Sequence, residues 1–354
     1  MLFVDNPPKS KSSIKIYLSD SLLNTESCME IYPFREAIDQ TNPGYSYAAG
    51  FLDHLEQQNI RVVTNSKLAD CIITHPKAKD ISKITPTVLM EARDPPSIAL
   101  PTRQVMNKHD NVRLWKWGIY EDYLAYNSTF YNWTLIKEAG GEPCYYSVDG
   151  KKADLPSFDK SKLDLAYSLN WDNYHAHCGF EHHHKQYDIA FMGTLVSDGS
   201  GLEPFKTKNN LKIWSRLKCL EALENLPPHV SKIVATDNLP MDYYTGILNR
   251  TKILVSPWGY NETCGKDVQG LTHDCVVIHP KTDMTIWPDV WSDHLICKPD
   301  FSDLEQIVTQ VLDSWSSYEE QARKNGVKWR EIGQMPVLAE RIRMLLDKAV
   351  GNYQ

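Results

Sequence analysis

Apolar positions recur along this chain in two rhythms. Ile14, Ile16 and Leu18 alternate with polar neighbours, the period of a half-buried strand over Ser13–Ser19. Short apolar runs follow at Arg61–Val63, Asp70–Thr74 and Thr87–Ala92. Their length and β-branched content predict strands buried on both faces. Between them Tyr47, Phe51 and Leu55 return every fourth residue, which predicts a helix over Tyr45–Gln58. A second helix is predicted over Phe130–Ala139, ended by Gly140 and Gly141. Strands alternating with helices predict a parallel α/β sheet.

The pattern changes over residues 142–186, which are polar and hold Gly150, Pro156 and the histidines 175, 177 and 182–184. This stretch is expected to be a connection, with Leu165–Trp171 packing on one domain. A second strand–helix series then begins. Tyr187–Met192 is a predicted strand stopped by Gly193, and Ile213–Leu226 a helix with Ile213, Leu217, Leu220 and Leu223 on one face. Lys232–Ala235, Lys252–Ser256 and Cys275–Ile278 are predicted strands, and Met241–Asn249 a predicted helix. Ser302-Asp-Leu-Glu305 matches a capping box that opens a long helix, and Val337–Val350 predicts the last one. The expected organisation is an N-terminal domain over 1–150, a connection over 151–186, a second domain over 187–335, and a C-terminal helix over 336–354 that packs back on the first domain.

Length supports two domains, because 354 residues exceed what one core of roughly 250–300 residues holds. Charge changes the list of partners: 38 Lys and Arg against 45 Asp and Glu leave −7, which argues against a broad nucleic-acid or anionic-membrane surface. No run reaches the roughly 18 apolar residues of a membrane span, and the first residues lack a basic segment followed by an apolar one. A cytoplasmic protein is therefore the expectation. The eight cysteines form no C-x-x-C pair and several lie in apolar runs, as reduced, buried cysteines do. In that setting the sequons at Asn127, Asn132, Asn249 and Asn261 are expected to stay silent.

The chemistry concentrates in Lys252–Trp291, a succession of strand, Gly-containing loop, helix, strand and polar loop. A loop at the carboxyl end of a parallel strand opens on the ligand crevice of such a sheet. A helix starting near Thr263–Gly265 aims its free N–H groups and positive dipole end at that crevice, which suits an anion. Lys266 in its first turn opposes the dipole, and a bound phosphate would account for it as well as plain solvation does.

The run Ser256-Pro257-Trp258-Gly259-x-x-Glu262-x-Cys264-x-Lys266-Asp267 resembles the nucleotide-sugar-binding half of GT-B glycosyltransferases. It is most similar to exostosin-like enzymes, including those encoded by large algal viruses. Asp274–Asp283 and Trp287–Asp289 fill the later positions of that pattern, and Tyr187–Gly193 resembles the first strand and turn of the same half. The resemblance spans about residues 187–320. It implies a GT-B-like fold of two Rossmann-like domains facing across a cleft. It also implies transfer of a sugar from a nucleotide-sugar donor to a hydroxyl of a glycan acceptor. UDP-sugar is the expected donor, GDP-sugar the alternative, and a pentose donor such as UDP-xylose follows from the viral likeness. By the same resemblance Arg216 and Lys266 neutralise the diphosphate, Glu262 holds hydroxyls of sugar or ribose, and amides at Gly193–Thr194 and Thr263–Cys264 cradle phosphate. Trp258 and Tyr260 flank base or sugar, or else pack in the core, and Asp283 lies on the next loop. The family usually carries Glu where this chain has Gln269, and Gly where it has Asn261. Gln still bonds a hydroxyl, more weakly than a carboxylate does.

Inverting transfer needs a base for the acceptor hydroxyl, expected from the N-terminal domain. Glu91, at the end of an apolar strand, is the first candidate, and its place resembles the strand-end Glu of some inverting fucosyltransferases. Asp94 is second and Asp20 third, while neighbouring Arg93 is a candidate for phosphate or acceptor. Histidines 175–184 lack a Cys or carboxylate at ligand spacing, and no D-x-D follows a strand, so metal-independent transfer is expected. Two alternatives stay open: a nucleotide-sugar epimerase of the same fold, and a non-catalytic two-lobed sugar- or nucleotide-binding module.

Overall fold

The computed structural model describes residues 12–19, 51–74, 81–91, 100–116, 118–120, 159–166, 183–195, 208–237, 239–259, 264–282 and 284–351. The first half runs β1 (Ile14–Leu18), α1 (Phe51–Gln57), β2 (Ile60–Val62), β3 (Cys71–Thr74) and β4 (Thr87–Glu91). Then come α2 (Leu100–Lys108), β5 (Val112–Lys116), β6 (Gly118–Tyr120) and β7 (Leu163–Leu165). Six of these strands form one parallel sheet in the order β2-β1-β3-β4-β5-β7. Ile16, Ile60, Ile73 and Val88 have no exposed surface, the mark of a sheet covered on both faces.

The second half begins with β8 (Tyr187–Met192), α3 (Lys208–Glu224), β9 (Lys232–Ala235), α4 (Met241–Asn249) and β10 (Thr251–Val255). It continues with α5 (Gly265–Thr272), β11 (Val276–Pro280), β12 (Met284–Ile286) and β13 (Leu295–Cys297). The helices α6 (Leu304–Asp313), α7 (Trp315–Ile332) and α8 (Met335–Gly351) end it. Its sheet is parallel in the order β13-β11-β10-β8-β9. These are the two Rossmann-like α/β layers expected from the sequence. In both sheets the second strand pairs outside the first and the third on its other side, so the winding reverses beside β1 and beside β8. Such a reversal opens a crevice at the carboxyl ends of the strands.

The halves are joined through packing and pairing. Helix α7 lies on α5 and β11, whereas α8 lies on α1 and β3. Arg343 of α8 donates to the Gln58 carbonyl at 3.0 Å, and Arg341 donates to that of Leu165 while its guanidinium sits 4.8 Å over the Trp287 ring. Strand β12 pairs antiparallel with β6, Met284 opposite Tyr120. One buried cluster accordingly holds Ile16 and Val88 of the first sheet together with Leu271, Met284 and Leu338.

Several expectations are corrected. The stretch expected to be a connection supplies β7, the edge strand of the first sheet. Its Asp164 accepts from Arg113 Nε at 2.7 Å and Nη2 at 3.0 Å, so the pair brings β7 against β5. Ser302 caps nothing: α6 begins at Leu304, and the carboxylate of Asp303 accepts from the Lys298 amide at 2.9 Å. The helix expected over Phe130–Ala139, residues 45–50 of the earlier one, and His175, His177 and His182 lie outside the described residues. Among the described residues no helix is long and apolar enough to cross a membrane.

Candidate functional site

Strand β8 ends in Met192, and its backbone turns at Gly193, whose amide donates to the Ala235 carbonyl at 2.8 Å. A Cβ on Gly193 would lie 3.3 Å from the Phe191 ring and 3.4 Å from Lys266 Nζ. Glycine lets the strand end approach that cation. Arg216, from α3, reaches the same turn. It is 5% exposed, and its Nη1 donates to the Thr194 carbonyl and, at 3.4 Å, to Thr194 Oγ1. Its Nε is buried and finds no hydrogen-bond partner among the described residues.

On the other side of β8, β10 runs into Ser256, Pro257, Trp258 and Gly259, all buried. The Trp258 ring has no exposed surface, stacks on Trp214 at 6.4 Å, and its amide donates to Ser215 Oγ at 3.1 Å. Of the two roles open to Trp258, packing is the one its burial serves. Helix α5 then starts behind Cys264, whose extended backbone is the N-cap. Asp267, at the third helical position, faces inward. Its Oδ2 accepts from the Cys264 amide at 2.7 Å and its Oδ1 from Ser256 Oγ at 2.6 Å. At 2% exposure Asp267 holds the strand-end loop to the helix start, so this member of the nucleotide-sugar motif has a supporting place and does not line the cavity. Burial pushes its carboxyl up to about 7, against the opposing pull of the Ser256 and Cys264 hydrogen bonds and of Lys266. Behind it His279 Nε2 lies 3.7 Å from Oδ1, and His294 Nε2 lies 2.9 Å from the Asp267 carbonyl. Burial lowers His294 to about 3, so it is neutral and donates to that carbonyl.

One turn on, Gln269 accepts from the Tyr244 hydroxyl at 2.7 Å, and burial holds that phenol well above its ordinary range. Five expected residues thus meet around one cavity of ≈ 210 Å³: Gly193, Thr194, Arg216, Lys266 and Gln269. The cavity is also lined by Met192, Asp237, Leu239, Met241 and Tyr244, which the sequence reading missed. Asp237 follows β9 at its carboxyl end, a position that parallel-sheet logic marks as a crevice position. Among the described residues neither Arg216 nor Lys266 has a carboxylate within ion-pair distance; the nearest heteroatom contact of Lys266 Nζ is Cys264 Sγ at 3.4 Å. Two cations, Arg216 and Lys266, therefore face one volume, which suits a polyanion, whereas the Gly193 and Cys264 amides expected to cradle phosphate are taken by the Ala235 carbonyl and the Asp267 carboxylate.

Glu91 closes β4 in the other half, but its side chain lies outside the described residues. So do Asp20, Arg93, Asp94, Tyr260, Glu262, Thr263 and Asp283. Among the described residues no three His, Cys, Asp or Glu side chains gather as a metal site would require.

No family model and no curated protein matches the sequence. Solved structures overlap it distantly. Anabaena Alr3699/HepE in complex with UDP-glucose is 11% identical, with a TM-score of 0.45 over 94% of this chain and 99% of that one. UDP-GlcNAc 2-epimerase from Neisseria meningitidis bound to UDP-GlcNAc is 8% identical, with a TM-score of 0.35 over 97% and 100%. A glycosyltransferase from Rickettsia africae is 12% identical, with a TM-score of 0.41 over 97% and 100%.

Proposed function

We propose that the chain is a GT-B-type glycosyltransferase that moves a sugar from a nucleotide-sugar donor to a hydroxyl of a glycan acceptor, with inversion and without a metal. The observation that carries this is the convergence of Arg216 and Lys266 on one cavity at the carboxyl ends of β8 and β10. A diphosphate seated there presents its oxygens to both cations beside the Gly193 turn. As the bond between the anomeric carbon and the diphosphate breaks, its electron pair leaves with the diphosphate, and the two cations stabilise the growing charge. The acceptor oxygen bonds to the anomeric carbon from the opposite face, and its proton passes to a carboxylate of the first half, Glu91 or Asp94. UDP-sugar is the proposed donor, and UDP-xylose the pentose form of it.

Thermal unfolding against UDP, GDP, CDP and their sugars, with and without EDTA, tests the reading. A ligand at ~100 times its dissociation constant adds about 2.7 kcal/mol. A shift with one nucleotide class, unchanged by EDTA and lost in Lys266→Ala, is the expected result. No shift with any nucleotide refutes it. Mass analysis of the products separates the alternatives. A free sugar isomer without an acceptor marks an epimerase, and binding with no turnover marks a binding module.

A further inference from the structure

Resting on the nucleotide-sugar reading of this cavity, we propose that Asp237 selects a ribonucleotide donor, its carboxylate accepting hydrogen bonds from the adjacent 2′- and 3′-hydroxyls of the ribose.

The cavity keeps its charges apart. Arg216 comes from α3, Lys266 from α5, and Asp237 follows β9, yet all three line one volume of ≈ 210 Å³. Among the described residues Asp237 makes no ion pair with either cation and no hydrogen bond to any group. Its side chain is exposed, so the fold does not use it. Main-chain bonds hold the turn in its place: the Gly193 amide donates to the Ala235 carbonyl at 2.8 Å, and the Leu195 amide to the Thr236 carbonyl at 3.0 Å. They strap the residues before Asp237 to the Gly193–Thr194 turn, where Arg216 also donates. A carboxylate is thus set beside the cationic subsite without neutralising it.

A nucleoside diphosphate has the matching order of groups. Its ribose is joined to the phosphate, so a pair of hydroxyl donors follows the anion along the ligand. A carboxylate only accepts and has two oxygens, which suits two neighbouring hydroxyls, and bonds to a charged acceptor are the stronger kind. The carbonyl oxygen of Gln269, another acceptor lining the cavity, already takes the Tyr244 hydroxyl at 2.7 Å. Strand β9 is the second strand of this parallel unit, and an acidic residue past the second strand is where dinucleotide-binding sheets hold ribose.

Packing gives the ligand its direction. Val268 and Leu271 of α5 and Val277 of β11 share a buried cluster with Ile16 and Val88 of the first half. Ile233 and Ala235 of β9 pack instead on a cluster drawn from the second half alone. A sugar presented to a first-half carboxylate therefore lies toward α5, and the nucleoside lies toward β9 and Asp237.

Calorimetric titration with UDP, 2′-deoxy-UDP, GDP and 2′-deoxy-GDP tests this in the wild type, Asp237→Ala and Lys266→Ala. The ribonucleotide that the wild type binds is expected to bind about 10- to 100-fold tighter than its 2′-deoxy form, as one hydrogen bond to a charged group implies. Asp237→Ala is expected to bring that ratio close to one, with an unchanged thermal midpoint because the side chain holds nothing in the fold. Lys266→Ala is expected to weaken both forms alike and keep the ratio. A wild-type ratio near one, or a ratio that survives in Asp237→Ala, overturns the proposal. A loss in Asp237→Ala seen with UDP-glucose and not with UDP also overturns it, since the carboxylate then meets the transferred sugar. Failure of the wild type to bind any of these nucleotides sinks the donor reading itself, an outcome distinct from binding that ignores the 2′-hydroxyl.

Discussion

Gly270 and Gly246 place two opposing effects on neighbouring helices. Gly270 lies in α5, and a Cβ added there would meet Val277 Cγ2 at 2.5 Å and Leu254 Cδ2 at 2.8 Å. Both partners are fully buried strand residues of β11 and β10, so neither has room to move aside. Replacing a helical glycine by alanine restricts the unfolded chain and gains roughly 0.5–1 kcal/mol. Forcing a methyl into a filled core costs about 1–3 kcal/mol. For Gly270→Ala the core term wins, with a net loss of roughly 0.5–2 kcal/mol. For Gly246→Ala in α4 nothing lies within 4 Å, so the propensity gain of roughly 0.5–1 kcal/mol stands alone. Urea unfolding of the two variants side by side reads the sign directly. Since α5 also carries Lys266 and Gln269, Gly270→Ala should weaken nucleotide binding by displacing them from the cavity. Equal stabilisation by both alanines would show that α5 does not press on the sheet, and the packing argument would fall.

Other expectations follow from single contacts. Asp164→Ala strands the buried Arg113 guanidinium on β5, with an expected loss of about 3–5 kcal/mol in urea unfolding; a loss under 1 kcal/mol would refute the pairing. Burial holds His294 at about 3, well below the 6.5 of an ordinary imidazole, so the unfolded chain takes up a proton that the fold refuses. Stability is therefore lost as pH falls from 6.5 toward 3, and His294→Gln should flatten that part of the profile. Lys266→Ala and Arg216→Gln should each weaken UDP binding about 10- to 100-fold by calorimetry, the worth of one charge-assisted hydrogen bond. An unchanged dissociation constant in both would remove the cavity as the diphosphate site.

Elements whose apolar run is closed by punctuation were legible to the residue. Tyr187–Met192 stops at Gly193, Met241–Asn249 starts after Pro240, and each stands as expected. Strand β5 was missed for a physical reason. All five of its residues are buried, yet two are Arg113 and Lys116, and these break the apolar run a buried strand is expected to show. Arg113 is tolerated there because Asp164, 51 residues later, supplies its countercharge. The same carboxylate interrupts Leu163–Leu165 and made β7 look like part of a polar connection. A pair of mutually satisfied charges is invisible to a local pattern, since each half alone argues against burial.

The site divides along the same line. That Gly193, Arg216 and Lys266 belong together was legible from motif and order, because β8 and β10 are strands whose loops carry the expected residue types. Which side chains on α5 face the cavity was not read, although helix phase determines it. Residues 266 and 269 are three apart and share the cavity face, whereas 267 is rotated by about 100° toward Ser256. The motif lists Lys266 and Asp267 as neighbours, yet their side chains serve opposite sides of one helix. Asp237 and Tyr244 were missed for a different reason. They enter the cavity because β9 is the strand next to β8, and strand order is a property of the whole sheet, to which no window of sequence is sensitive. Spacing along the chain thus picks out the cations of the cavity, whereas its remaining walls come from neighbours that only the sheet brings together.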